Sequence, residues 1–414
     1  MAQVLGIDFG TSNSAAGYLR DGGPHLVTLA PGETTLPTAV FFDFEAREMF
    51  MGHAANAALL NGAEGRFMRA LKRVLGTGLM HEKRQLLNER VTFVEIIGRF
   101  LAHLKAQAEA EAGHAFDCAV SGRPVVFHGP GDPREAQAEA DLRACYAAAG
   151  FTDVQFLPEP EAAAIAAGAL DHPGATGLIV DIGGGTSDFS VFRTGDAGVH
   201  ILANHGVRIG GTDFDRALSI AQVMPLMGLG SHLRNAIGPG TLPAPKAIFH
   251  DMATWEKIPF LYTAKTLRDV QSMVRQAQAP QRLTRLATVL EHELGHDVAF
   301  AVEAGKIAAN GDTPTARIDL HAIEAELSAP LDTATLRNTL TPFGQQLDQG
   351  IADTLEMAGC TAEQIDQVIY VGGSSLMALV TDTMQTAFPK ARHSFAEVFT
   401  AVADGLAIAA GNRA

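Results

Sequence analysis

The 414-residue chain sets 31 basic against 46 acidic side chains, a formal charge of −15, with 47% hydrophobic and 19% charged residues. That surplus of carboxylates argues against nucleic acid or an anionic membrane as partner, since both need clustered Lys and Arg, and the length calls for two or more domains. Three scattered cysteines, Cys118, Cys145 and Cys360, show no CxxC spacing, which excludes a disulfide scaffold or zinc ribbon and points to a reducing, cytoplasmic compartment.

The first residues, "MAQVLGIDFG", pass straight into a strand pattern, so no secretory signal is expected. Apolar patterning predicts a strand over Val4–Phe9, a tight turn over Gly10–Ser12 and a strand over Ala15–Leu19. The Pro/Gly-rich "APGETTLPTAVFF" reads as a loop, followed by helical periodicity near Arg66–Leu75. A long amphipathic helix is expected around Thr92–Glu111, with Val94, Ile97, Leu101 and Leu104 on one face. "CAVSGRPVVF" is strand-like. In "GDPREAQAEADLRACYAAAG", Asp132 reads as N-cap, Pro133 as first helical residue and Gly150 as the stop. "LPEPEAAAIAAGAL" reads as a loop entering a small-residue helix able to pack closely. The apolar stretch Arg216–Arg234, broken by Pro225 and two glycines, reads as a buried helix and turn, not a membrane span. Residues 211–310 read as mostly helical, including Arg282–Ala309. Further helices are expected near Leu336–Ala358 and Phe395–Ala410, the latter after the strand, Gly-Gly and helix start of "QVIYVGGSSLMALV".

Two stretches share one plan. "LGIDFGTSNSAAGYL" and "LIVDIGGGTSDFSVF" each run apolar strand, Asp, Gly-Thr-Ser turn, polar residue, second strand, about 170 residues apart. This internal duplication predicts two similar lobes, each with a hairpin in the same place. Three consecutive glycines, Gly183–Gly185, cost about 2 kcal/mol relative to alanine, which a bland turn has no need to bear. A strand–turn–strand with Gly and Thr at its tip turns backbone N–H groups outward into a nest for anions, phosphate above all. Asp8 and Asp181, at the ends of the apolar strands, would sit beside those phosphates. Carboxylates repel phosphates unless a cation intervenes; Mg2+, which keeps several waters, suits that place. Alone, "DFGTSN" is equally compatible with a plain hairpin; its repetition is what favours a paired clamp on a Mg–nucleotide. The glycines lie between strands, without GxxxxGK[ST], so neither a Walker A loop nor a Rossmann fingerprint fits.

The stretches "GIDFGTSNSAAG", "ETTLPTAVFF", "ALKRVLG", "PEPEAAAIAAG", "VDIGGGTSDFSVF", "IGGTDFDRAL", "VIYVGGSSLM" and "AVADGLAIAAG" occur in one order across almost the whole chain. They resemble the ATPase domain of the heat shock protein 70 (DnaK-type) family, within the actin–sugar kinase superfamily. The "MATWEKIPFLYT" insertion and early stop look closest to stand-alone YegD-type members. The resemblance implies an α/β fold: a duplicated ribonuclease-H-like, actin-like ATPase with two lobes and a central nucleotide cleft. Lobe I would span 1–168, with a small subdomain at about 38–115 and the C-terminal helix 396–414 returning to it. Lobe II would span 169–395, with a helical insertion at about 211–310.

Site roles follow from the same resemblance. Gly10, Thr11 and Ser12 would hold phosphates from one side and Gly183, Gly184, Gly185 and Thr186 from the other. Asp8 and Asp181 would hold Mg2+ through water and orient the attacking water, with Glu159 completing that network. Lys72 would reach the transferring phosphate, and Thr186 and Asp188 would lie near the γ-phosphate. Gly210, Gly211 and Asn310 would join the nucleotide contacts, Gly372, Gly373 and Ser374 would lie along the adenosine, and Glu303 and Lys306 would face ribose and purine. Read without the resemblance, Lys72 is a solvated helix residue and Glu159 a loop or cap carboxylate. The implied ligands are ATP or ADP and Mg2+, with K+ a second candidate cation. The expected partner is an unidentified protein or client, and the expected state a monomer or weak oligomer.

The base-binding end departs from the family pattern. Ile307 and Leu376 stand where the family places arginines that face the base, and Phe399 and Thr400 replace acidic residues. Losing those cation–π and charge contacts predicts weaker or less selective purine binding. The chain ends at Ala414 without the acidic-hydrophobic linker and peptide-binding β-domain of the family, so the expectation is a slow ATPase without the usual client groove. Two rivals stand beside it: a nucleotide-binding scaffold with little turnover, and a small-molecule kinase, for which no sugar pocket is recognisable. His292-Glu293-Leu294-Gly295-His296 also spells HExxH, which on one helix would set two imidazoles on a zinc. Ala299 and Val302 lack the metzincin continuation and no third ligand follows, so a metalloprotease is disfavoured.

Overall fold

The computed structural model describes residues 3–128, 131–195, 198–235, 238–311, 315–395 and 400–412. The chain divides into two compact units, residues 1–207 with 349–376 and 384–414, and residues 208–348 with 377–383.

The first unit holds both copies of the repeated plan. Strand β1 (Val4–Phe9) turns back on β2 (Asn13–Arg20), which pairs with β3 (Gly23–Leu26); on the other flank β1 pairs in parallel with β4 (Cys118–Arg123), and β4 with β5 (Asp153–Pro158). The second sheet repeats this order. Strand β6 (Thr176–Ile182) turns back on β7 (Ser187–Gly195), which pairs with β8 (Gly198–Val207), while β6 pairs in parallel with β9 (Gln367–Val371) and β9 with β10 (Arg392–Ser394). The duplication legible in two short motifs therefore extends to five strands in each sheet. The mixed α/β architecture is that of the duplicated actin-like ATPase fold.

Helices fill the faces. Phe93–Ala112 starts at Thr92, whose hydroxyl accepts from the Glu95 amide while Glu95 reaches back to the Thr92 amide. Such a reciprocal cap is worth about 1 kcal/mol. Its inner face, Ile97, Phe100, Leu101 and Leu104, packs with Leu5, Ile7 and Phe9 of β1 and with Leu142 and Tyr146 of the helix Arg134–Ala148. A second core gathers Val120 and Leu157 of the first sheet, Ile179, Phe192 and Ile369 of the second, and the helices Glu159–Ala166 and Ala401–Gly411. Those two helices approach closely because their contact residues are small. A Cβ on Gly405 would overlap the Ala162 backbone, and one on Gly6 would come within 2.6 Å of the Ala407 amide nitrogen.

Several local expectations are corrected. Arg66–Leu75 is not helical: Gly65–Arg69 is a strand pairing with Ala39–Asp43, and Leu71–Val74 is a short 3-10 turn entered through Ala70 at φ 55°. The helix Arg134–Ala148 begins one residue late, with Pro133 at its N-cap, though the Asp132 carboxylate still accepts from the Arg134 amide at 2.9 Å. The stretch 216–234 leaves helix and ends in a strand, His232–Arg234, paired with Thr241–Pro243. The expected start of the last helix at 395 falls partly on 396–399, outside the described residues; Ala401–Gly411 is helical.

In the second unit the helix expected over Arg282–Ala309 is broken. Pro280–Glu291 stops, Glu293 takes a left-handed φ of 56°, and Gly295–Asn310 starts afresh. Tyr262 holds the break: its hydroxyl donates to the Glu293 carbonyl at 2.8 Å and accepts from the Gly295 amide at 2.9 Å. Gly295 has to be bare there, since a Cβ would meet Ile258 at 2.5 Å and the Tyr262 hydroxyl at 2.7 Å. The HExxH motif straddles this break and does not present two imidazoles on one helical face. The His296 ring lies 4.5 Å from that of Trp255, and both belong to an aromatic cluster with Phe300.

Candidate functional site

The repeated hairpins end alike. Asp8 pairs across its hairpin with Ala15, and Asp181 with Asp188, so each strand delivers its aspartate one residue short of the turn region. In the first turn a Cβ on Gly10 would overlap the Asn13 carbonyl, so glycine is required by space. The Ser12 carbonyl accepts from the Thr38 amide at 2.8 Å, which straps the turn to the strand segment beside it. The second turn closes through the Gly183 amide donating to the Thr186 carbonyl at 3.0 Å. Neither Gly183 nor Gly185 sits at positive φ; a Cβ on Gly183 would make only an ordinary contact with the Thr186 carbonyl at 3.8 Å, and one on Gly185 would meet the Arg73 guanidinium.

Lys72 stands among the carboxylates. Carried on the turn Leu71–Val74, its ammonium donates to Glu159, the first residue of its helix, and both side chains are largely buried. Asp8 is pushed up to about 7 by burial and by Glu159, with Lys72 acting in the opposite direction. Burial, then Asp188, Glu159 and Asp8, drive Asp181 well above the ordinary carboxylate value. Asp188 rises to about 6, chiefly by burial, against a hydrogen bond from Thr186 that lowers it. Burial opposes the charge of Lys72, but Glu159, Asp8 and Asp181 outweigh it and raise its pKa. The aspartates of the two hairpins thus feel each other and the same lysine. Four carboxylates face one ammonium, a balance that an added cation would restore.

The Gly372–Ser374 turn joins the same place. Gly372 follows β9 at φ 77°, and a Cβ there would lie 2.5 Å from the Ile182 carbonyl and 3.0 Å from the Asp181 carboxylate. The Ser375 hydroxyl donates to the Gly372 carbonyl at 2.7 Å and fixes the turn.

Gly210, Gly211, Glu303, Lys306 and Asn310 belong to the second unit. Gly210 precedes the helix Gly211–Leu218 and donates its amide to Asp213 at 3.0 Å. Lys306 is buried and ion-paired with Asp215 of that helix at 2.8 Å. Glu303 is exposed on the helix Gly295–Asn310, as is Ile307, 63% accessible one residue beyond Lys306. The Asn310 side chain accepts from the Ala378 amide at 2.7 Å at the start of the helix Ala378–Ala387. Thr400 donates its hydroxyl to Asp404 at 2.9 Å; Phe399 lies outside the described residues.

Residues that the motifs did not flag hold the Lys72 segment. Asp141, buried, accepts from the Gly76 amide at 2.8 Å and from Gln137 at 2.7 Å, and pairs with His81 at 2.9 Å. The His128 ring bonds the Leu75 carbonyl at 2.8 Å. The one advance signal was the helical periodicity of 134–148, which buries Asp141 with Ala138 and Leu142 and so asks for a partner. Arg73 lies over the second glycine turn, which nothing in its sequence context announces.

A family model described as Hsp70 protein matches residues 4–223 and 282–412. The chain belongs to the Hsp70 family. ATP binding, generally with Mg2+, and a chaperone-family function come with that membership. The family match skips 224–281, which contains the His232–Arg234 hairpin, the Tyr262 bridge and the helix Ala264–Gln276. Among the described residues no helix is long and apolar enough to cross a membrane.

Proposed function

We propose that this Hsp70-family chain is a Mg-dependent ATPase of low turnover whose nucleotide state is read by a protein partner in the cytoplasm, and that it is of the YegD type. The observation that carries the reading is the convergence of Asp8, Asp181, Asp188 and Glu159 on Lys72 at the tips of two repeated hairpins. Buried carboxylates in mutual repulsion fit a divalent cation bound through water. Among the described residues no three His, Cys, Asp or Glu side chains are grouped as direct ligands of one metal, so water in the inner shell suits this donor set. When bound, Mg2+ supplies charge neutralisation on the phosphates. Gly10, Thr11 and Ser12 offer amides to the polyphosphate from one side and the turn after Gly183 from the other, the Gly183 amide itself closing that turn onto the Thr186 carbonyl. Asp8 and Asp181 orient the attacking water, Glu159 holds Lys72, and Lys72 meets the charge that develops on the departing phosphoryl group. The low turnover is our expectation for a site that positions and polarises without a covalent nucleophile.

The purine end supports modest base selectivity. By the family resemblance Ile307, an exposed aliphatic side chain, replaces an arginine that faces the base, and Lys306 is committed to Asp215. Titration should show ATP, GTP and CTP binding within about tenfold of one another; strict adenine selectivity would refute this part. The main test is phosphate release from ATP. Wild type should exceed background, and Asp181→Ala and Lys72→Ala should each fall by at least ~100-fold, the scale of losing one preorganised electrostatic group. Background release by wild type with intact nucleotide binding would leave a binding scaffold; phosphate transfer to a small acceptor would make the protein a kinase.

A further inference from the structure

Lys72 and Arg73 are neighbours on a turn whose geometry is unusually fixed. Ala70 enters it from the left-handed region, a conformation that costs a non-glycine residue about 1 kcal/mol and persists only where its surroundings impose it. Leu71 and Leu75 anchor the turn in the core, Asp141 holds Gly76 and His81, and His128 holds the Leu75 carbonyl. A turn so braced aims its two cations differently. Lys72 goes to Glu159, whereas the Arg73 guanidinium comes to rest on the apex of the second glycine turn. A Cβ on Gly185 would overlap an Arg73 nitrogen and lie 3.5 Å from its central carbon, and it would meet nothing else within 4 Å. The φ of Gly185 would admit a side chain, and the guanidinium, the far end of a flexible side chain, is what a methyl group there would displace. Arg73 belongs to the exposed surface, where an anion arriving at the turn can reach it.

We propose that Arg73 is a second cationic contact to the polyphosphate, one that reaches the terminal phosphate over Gly185 and distinguishes ATP from ADP. This rests on the nucleotide-site reading above. A planar guanidinium suits two phosphate oxygens at once, which an ammonium cannot match. Arg73 sits one residue from Lys72, at the reacting end, and beside the turn whose amides face the phosphates. It adds positive charge to a site crowded with carboxylates without competing for Glu159.

The test is calorimetric titration of full-length wild type, Arg73→Ala, Arg73→Lys, Gly185→Ala and the Arg73→Ala/Gly185→Ala double variant with Mg–ATP and Mg–ADP. Arg73→Ala should weaken ATP at least about tenfold and ADP less than about threefold, as expected for a charge-assisted contact to one phosphate. Arg73→Lys should recover only part of the loss. Gly185→Ala should reproduce the ATP-selective loss by displacing the guanidinium, and the double variant should be no worse than Arg73→Ala alone. Equal weakening of both nucleotides, unchanged ATP affinity in Arg73→Ala, or full additivity of the two substitutions would overturn the proposal while leaving the nucleotide site standing. Wild type that binds neither nucleotide would overturn both.

Discussion

At the scale of single residues, the site is a problem of charge held in place. Asp8 at about 7 and Asp188 at about 6 keep protons in the folded chain that the unfolded chain gives up near pH 4. Between those limits the folded state binds more protons, so metal-free stability falls as pH rises from about 4 to 7. Thermal melting without metal or nucleotide should therefore decline more steeply from pH 5 to 8 in wild type than in Asp8→Asn, which carries no charge to bury. With saturating Mg–ATP the order should reverse, because the ligand uses the ionised carboxylate; parallel melting curves under both conditions would refute the assignment. Asp8 and Asp181 were legible in the repeated hairpin motif, whereas Lys72 and Glu159 read by themselves as a solvated helix residue and a cap carboxylate and gained a place only through the family resemblance. Arg73 was not legible. An arginine after a lysine reads as a solvated pair, and only the left-handed Ala70 and the bracing of the turn decide where it goes.

At the scale of elements, local pattern and tertiary override can be separated. The helix from Phe93 was readable from both periodicity and cap, since Thr92 and Glu95 satisfy orphan amides by themselves. The residues of 282–309 favour helix equally well, yet the helix breaks, because the Tyr262 hydroxyl and the tight space at Gly295 hold residues 292–294 out of it. Periodicity carries no word of a tyrosine 33 positions away. Tyr262→Phe should leave the Gly295 amide without this partner and destabilise the protein by about 1–3 kcal/mol, read by urea unfolding. No change in the midpoint would mean that packing alone sets the break. The strand at Gly65–Arg69 was misread for a similar reason: its pairing with Ala39–Asp43 depends on a distant segment, while its short apolar run also suits a helix face.

At the scale of the molecule, the repeat is the organising fact. Two motifs of about fifteen residues implied a duplication, and the sheets carry it through five strands each, in the same order and with the same mixture of parallel and antiparallel pairs. What the repeat could not convey was the 224–281 segment, which the family match passes over. Metal dependence belongs at this scale, since the cation is what should let two acidic hairpins face one anion. A chelator should abolish the thermal stabilisation given by ATP, and added Mg2+ should restore it; stabilisation that survives chelation would place the nucleotide away from the aspartates. The most direct measurement is a crystal structure of the chain grown with Mg2+ and a non-hydrolysable ATP analogue. The account predicts a triphosphate contacted by the amides of Gly10–Ser12 and of the turn that Gly183 closes onto Thr186, with the metal's waters bonded to Asp8 and Asp181. A nucleotide bound elsewhere, or one touching only one of the two hairpins, would contradict it.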